Sequence, residues 1–226
     1  MSRRFEPQRV PLIALAAALA FGSGATDLAS FTRLGGVFAS VMTGNLVLLG
    51  LAIARASAGL AAHTAVALAG YVAGVATGTM AGTRTKGQDE LWPVGVTECL
   101  AIELALLAVF TVGWELADAH PAGAWQLCLL AVGALAMGLQ GAAVRSVRTP
   151  LRTTYLTSTL IGVVEEIVKS GRRGEGFSLN VTVLVAAAVG AAAGGAVIAI
   201  APACLPVLPV GAVAAVVTLA AIRGVR

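Results

Sequence analysis

The chain is built of apolar blocks about twenty residues long, parted by short polar connections, and no other feature limits its fold as strongly. A helix needs about 20 apolar residues to cross a hydrocarbon core of about 30 Å. The sequence of 226 residues is 58% hydrophobic and 12% charged, with a mean hydropathy of +0.90, whereas an ordinary soluble domain is roughly 25% charged. Alternating strand patterns of about ten residues are absent. That excludes a transmembrane barrel and leaves an all-α, polytopic transmembrane helical bundle. The blocks read as eight spans, at 11–30, 36–54, 61–82, 95–117, 122–144, 151–168, 180–201 and 203–223. Pro206 and Pro209 kink or delay the last of them. The second and sixth are short enough to be broken or re-entrant, so six or seven full crossings are the alternative. No connection is long enough to fold a soluble domain, and residues 1–226 form a single integral membrane domain.

The first block follows Arg3 and Arg4 and superficially resembles a cleaved or twin-arginine signal. It is too long for a typical signal core and contains polar residues, so it reads as the first span. With eight crossings and the N-terminus inside, the inner segments hold Arg3, Arg4, Arg9, Arg55, Lys169, Arg172, Arg173, Arg223 and Arg226. The outer segments hold Arg33, Arg84, Lys86, Arg145, Arg148 and Arg152. Because Lys and Arg concentrate on the cytoplasmic side, this favours both termini in the cytoplasm. The bases are scattered and lack interleaved aromatics, which argues against nucleic acid. Cys99, Cys128 and Cys204 are isolated packing residues, and His63 and His120 lack the spacing of a metal site. Without a phosphate loop, a metal motif or a nucleophile beside a base, no enzyme activity and no cofactor or metal is expected.

One apolar run, Val37 to Gly50, is interrupted by Thr43, Gly44 and Asn45. A buried Asn must find hydrogen-bond partners, and Gly inside a helix costs about 1 kcal/mol against Ala. A shift of 114 residues sets this triplet on Thr157, Ser158 and Thr159, Gly24 on Gly138 and Asp27 on Gly141. After two inserted residues, Gly74 and Gly78 fall on Gly190 and Gly194. The chain thus reads as two internal repeats of about four spans, 11–117 and 122–223. Four crossings per unit make the units parallel; a short segment that fails to cross in each makes them inverted. Transporters built from such repeats bind their solute at the repeat interface, near mid-membrane.

"GGVFASVMTGNLVLLGLA", with Asp27 ahead of it, and "MGLQGAAVRSVRTPLRTTYLTSTLIG" resemble the YoaK family of small bacterial multi-pass membrane proteins, a domain of unknown function. The likeness covers nearly the whole chain, and the M-T-G-N block is its most specific part. The chain departs from the family pattern at Gly141, where the family carries Asn, and at Ser158, where it carries Gly. The resemblance implies an integral inner-membrane protein and no established activity.

Thr43, Gly44, Asn45, Thr157, Ser158 and Thr159 have two readings: close helix packing, or the lining of a central solute site with Asp27 and Gln140 nearby. Asp27 has Arg145, Arg148 and Arg152 as candidate ion-pair partners. Glu103 is the deepest acid and has no counterpart in the eighth span, which makes it a proton-coupling candidate or a hydrogen-bonded structural residue. Gly70, Gly74, Gly78 and Gly82 recur every fourth residue, and Gly190, Gly194 and Gly195 repeat the pattern. They form close-packing ridges, within the chain or at a homodimer contact. The leading expectation is a small secondary transporter or permease for an unknown small molecule or ion, in a lipid bilayer. A non-transporting membrane scaffold or regulatory protein is the alternative.

Overall fold

A computed structural model describes residues 6–83, 93–147, 156–170 and 176–223. These form α1 (Glu6–Arg33), α2 (Met42–Ala54), α3 (Ala58–Thr83), α4 (Val94–Leu116), α5 (Gly123–Ser146), α6 (Leu156–Ser170), α7 (Phe177–Ile200) and α8 (Val207–Arg223). A 3-10 turn at Pro202–Cys204 leads into α8, ahead of Pro206 and Pro209. Among the described residues, α1, α3, α4, α5, α7 and α8 are long and apolar enough to cross a membrane. The other two, of 13 and 15 residues, fall short of the 20 or so that a crossing needs. Eight full spans are therefore reduced to six.

The segment expected as one span at 36–54 is two arms. α1 stops at Arg33, and Gly35 and Gly36, at φ +90° and +75°, turn the chain back on itself. Such values suit glycine, which lacks the Cβ that makes this region costly. Gly35 also has no room for a side chain, since a Cβ there would lie 2.2 Å from the His63 ring. Residues 37–41 return along α1 without helical structure, and α2 begins only at Met42.

Hydrogen bonds at one end of the bundle fix the directions of the helices. Gln126 near the start of α5 donates to the Arg33 carbonyl at the end of α1 (2.7 Å) and pairs with His63 near the start of α3 (3.0 Å). Trp125 of α5 donates to the Gly113 carbonyl (2.8 Å), and Trp114, late in α4, donates to the Pro202 carbonyl (3.0 Å). This end therefore gathers the C-terminal ends of α1, α4 and α7 and the N-terminal ends of α3, α5 and α8. Since α1 ends and α3 begins here, residues 34–57 enter and leave on one side. The second short helix, α6, lies between the end of α5 and the start of α7, both at the other end of the bundle. It is re-entrant from that opposite side. Each half then has three crossings and one re-entrant helix, so the halves run in opposite senses.

Packing repeats between the halves. Helix α1 lies against α7 and α8, while α5 lies against α3 and α4; α2 lies against α3 and α6 against α7. The parallel pairs α1/α7 and α3/α5 touch backbone to backbone. A Cβ on Gly24 would lie 2.1 Å from the Ala187 carbonyl oxygen, and one on Gly138 would lie 2.2 Å from that of Tyr71. Likewise Gly190 meets Phe21 O at 2.0 Å and Gly74 meets Leu135 O at 2.2 Å. These contacts interchange under the same shifts that align the sequence: 114 takes Gly24 to Gly138 and Phe21 to Leu135, and 116 takes Tyr71 to Ala187 and Gly74 to Gly190. Gly70, Gly74, Gly78, Gly190 and Gly194 thus spend their small size on neighbours inside the chain, and this surface is not free for a second copy. Leu19, Leu100, Leu107 and Met137 fill the space between the pairs.

Candidate functional site

Asn45 stands in the first turn of α2 and closes the re-entrant arm. Its Oδ1 accepts the Phe38 N–H at 2.9 Å, and its Nδ2 donates to the Phe38 carbonyl at 2.7 Å. A side-chain amide here does what a neighbouring strand does in a sheet, satisfying both polar groups of one backbone unit buried away from water. Asn45 is fully buried. Gly44 sits under the Phe38 ring, where a Cβ would lie 3.3 Å from two ring carbons, and Phe38 stacks on Phe31 at 5.1 Å between centroids. Two members of the triplet therefore shape the arm, and the third, Thr43, faces elsewhere.

Thr43 lines a cavity of about 560 Å³ together with Thr157 and Ser158 of α6, Asp27 and Ser23 of α1, Ser40, Met42 and Tyr71. Ser23, Tyr71 and Ala187, which also lines it, fall near the middles of α1, α3 and α7, and so the cavity lies near mid-depth of the six-helix frame. Three pairs of lining residues correspond between the halves: Met42 with Leu156, Thr43 with Thr157, and Tyr71 with Ala187. The cavity straddles the axis that relates them. Both short helices begin at its wall, and no side chain caps the start of α2. Unsatisfied N–H groups in a first helical turn are available to a solute or to water.

Asp27 is held by the returning arm. Ser40 gives its backbone N–H to Oδ1 at 2.7 Å and its hydroxyl to Oδ2 at 2.5 Å. Of the three arginines expected to pair with Asp27, the structure separates Arg145 from it. Arg145 ends α5 at the far side of the bundle, while Arg148 and Arg152 lie outside the described residues.

A second chain of hydrogen bonds leads away from the cavity. The Ser23 hydroxyl donates to Gln140 Oε1 at 2.6 Å, and Gln140 Nε2 donates to Glu103 Oε1 at 3.1 Å. Gln140 and Glu103 are fully buried, Ser23 is 5% exposed, and Glu103 Oε2 has no hydrogen-bond partner among the described residues. The proton-coupling candidate and the cavity are thereby joined through one amide.

Of the residues expected to contact a solute, Thr43, Thr157, Ser158 and Asp27 reach the cavity wall. Gly44, Asn45, Thr159 and Gln140 do not; Thr159 is buried in the first turn of α6, at the position equivalent to Asn45. Ser23, Ser40 and Tyr71 were not expected. For Ser23 the signal was present, since it precedes Asp27 by four residues and shares its helix face. Ser40 had none, because a continuous helix over 36–54 would not bring it back to Asp27. Among the described residues, no group of three or more His, Cys, Asp and Glu could hold a metal.

The model of a family described as a protein of unknown function, DUF1275, matches residues 15–220. The UPF0700 transmembrane protein YoaK of Bacillus subtilis (strain 168) is 35% identical over 156 residues, 68% of this chain and 65% of the relative. The chain thus aligns with just under two thirds of the length of that protein. No solved structure matches. With six apolar crossing helices and a transmembrane relative, the chain is a multi-pass membrane protein.

Proposed function

The chain belongs to the DUF1275 family, which has no assigned activity, and we propose from its own cavity that it is a small secondary transporter or permease of the bacterial plasma membrane. The observation that carries this reading is the cavity at mid-depth, whose wall is built by the first turns of two re-entrant helices from opposite sides. A scaffold needs its re-entrant arms sealed against one another; here Thr43 and Thr157 stand at an open space lined with hydroxyls and one carboxylate. Paired broken helices at the interface of inverted repeats are the arrangement in which transporters hold a solute, because irregular backbone at membrane depth is tolerated where it lines a cavity. The two units are residues 11–117 and 122–223, related as inverted repeats.

Charge supports an orientation for this reading. With three crossings per half, only Arg33 and Arg55 of the 15 Lys and Arg fall in segments joining helix ends on the side where α1 ends. The others belong to the termini and to connections on the opposite side. That asymmetry is far sharper than the nine against six of an eight-span arrangement, and it supports a cytoplasmic position for both termini.

The test is a thermal-shift screen of purified protein against metabolites and ions, run beside the double variant Thr43→Val and Thr157→Val. A transported solute stabilises the parent, by about 2.7 kcal/mol at a hundredfold excess over Kd, and loses that effect in the variant. Solutes that stabilise both proteins equally, or none that stabilises either, would sink the cavity as a solute site.

A further inference from the structure

We propose that Glu103 is the proton-binding group of the cavity and that Gln140 reports its protonation to the cavity wall by turning its amide over. The proposal deepens the transport reading and rests on the cavity being a solute path. It starts from counting donors. A carboxylate has two oxygens to satisfy, and among the described residues Glu103 receives a single N–H, from Gln140, on Oε1, while Oε2 has no partner. A fully enclosed carboxylate with one oxygen unbonded carries a charge that its surroundings do not compensate, and a proton removes that charge.

The chain Ser23, Gln140, Glu103 has one polarity as it stands. The amide nitrogen faces the acid, the amide oxygen faces Ser23, and the Ser23 hydroxyl spends its hydrogen on that oxygen. Ser23 then offers the cavity only lone pairs. When Glu103 gains a proton on the oxygen facing Gln140, the acid becomes a donor and the amide must present its oxygen to it. Turning over, Gln140 gives an N–H to Ser23 instead, and the Ser23 hydroxyl hydrogen is released toward the cavity. The proton is taken from and returned to bulk water; Gln140 passes orientation and not the proton. One protonation thereby converts Ser23 from acceptor to donor on a wall it shares with Asp27, Thr43 and Thr157.

Among the described residues, no other ionisable group is placed to do this. On α4 itself Cys99 lies one turn before Glu103. On α3, Tyr71 lines the cavity while His63 is held at the bundle end by Gln126. On α5, Cys128 and Arg145 lie toward the two helix ends, and α8 carries no ionisable residue between Val207 and Ile222. Asp27 on α1, one turn beyond Ser23, faces the same cavity but is bonded to Ser40.

The experiment uses the proton alone, on full-length protein reconstituted in phosphatidylcholine vesicles. Infrared difference spectra between acidic and alkaline buffer are expected to show the carbonyl band of a protonated buried carboxylic acid. That band disappears in Glu103→Gln and persists in Asp27→Asn. In Ser23→Ala, which removes one hydroxyl and keeps the acid, the band persists but moves, because Gln140 has lost the partner that sets its orientation. In the Asp27→Asn background, which removes the carboxyl of the cavity wall, a band that survives Glu103→Gln, or one unmoved by Ser23→Ala, overturns the proposal. Since no solute is involved, failure of the solute screen leaves this result standing, and failure here leaves the cavity as an uncoupled solute site.

Discussion

Gly138→Ala tests the packing from which the cavity takes its position. The added Cβ falls 2.2 Å from the Tyr71 carbonyl oxygen and 3.0 Å from both Gly74 Cα and Val75 N, where ordinary contact begins at 3.4 Å. All three obstacles are backbone, so no side chain can swing aside, and α3 and α5 must separate by about 1 Å. Overpacking of this kind costs about 1–3 kcal/mol. The separation also opens the rest of the seam, because a gap of 0.5–1 Å forfeits roughly a quarter to a half of each dispersion contact along it. A total near 3 kcal/mol is expected, on the order of 6–12 °C in melting temperature for a chain of this size. The assay is thermal unfolding in detergent, followed by intrinsic fluorescence. Gly24→Ala, opposed to Ala187 O at 2.1 Å, is expected to match it on the equivalent seam. Gly50→Ala is the control: nothing lies within 4 Å of its Cβ, and Ala in an exposed helical position gains about 0.5–1 kcal/mol over Gly. A Gly138→Ala protein that melts with or above the parent would refute the backbone contact.

Three further outcomes follow. Asn45→Ala strands a buried N–H and a buried carbonyl on Phe38, each worth about 1–3 kcal/mol when unsatisfied, so it should lower the melting temperature sharply. Asn45→Asp keeps an acceptor for the Phe38 N–H and loses the donor, and its melting temperature should fall between Asn45→Ala and the parent. Gly35→Ala combines a positive φ with a Cβ 2.2 Å from the His63 ring; a loss of about 1–3 kcal/mol is expected, recovered only in part by His63→Ala, since the strain in φ remains. In a cysteine-free background, Arg55→Cys should react with an impermeant maleimide from outside intact cells, and Lys169→Cys only after permeabilisation. The reverse pattern would invert the orientation assigned from charge.

The six crossing helices were legible because hydropathy reports depth, and each block matches its helix to within a few residues: 95–117 against Val94–Leu116, and 180–201 against Phe177–Ile200. The second block misled for the same reason. Val37 and Ala39 are fully buried in the returning arm, and a buried residue must be apolar whether its backbone is helical or not, so the run over 36–54 reads as continuous. What marked the break was conformational: Gly35 and Gly36 for the turn, and an amide seven residues after the backbone unit it satisfies.

The site was half legible, and the missing half has a pattern. Where the halves correspond by steric need, the sequence repeats itself: Gly24 and Gly138, Gly74 and Gly190, Thr43 and Thr157. Where they differ, the shift of 114 sets Asp27 on Gly141, Gln140 on Thr26 and Ser23 on Met137. Each of these unmatched polar residues belongs to one of the two hydrogen-bond chains that reach the cavity, and Glu103 has no equivalent acid in α8. In the proposed transporter, matched walls would bind a solute and a proton alike in both tilts of the halves; the unmatched residues would make the tilts unequal in energy, and a proton on Glu103 would alter that inequality from one half only. Moving the acid should therefore matter more than removing it. Glu103→Gln with Val216→Glu, which places a carboxyl at a buried position of α8, should restore a titrating infrared band without restoring its sensitivity to Ser23→Ala. A band in that variant that still shifts with Ser23→Ala would show that the chain through Gln140 is not what carries the signal.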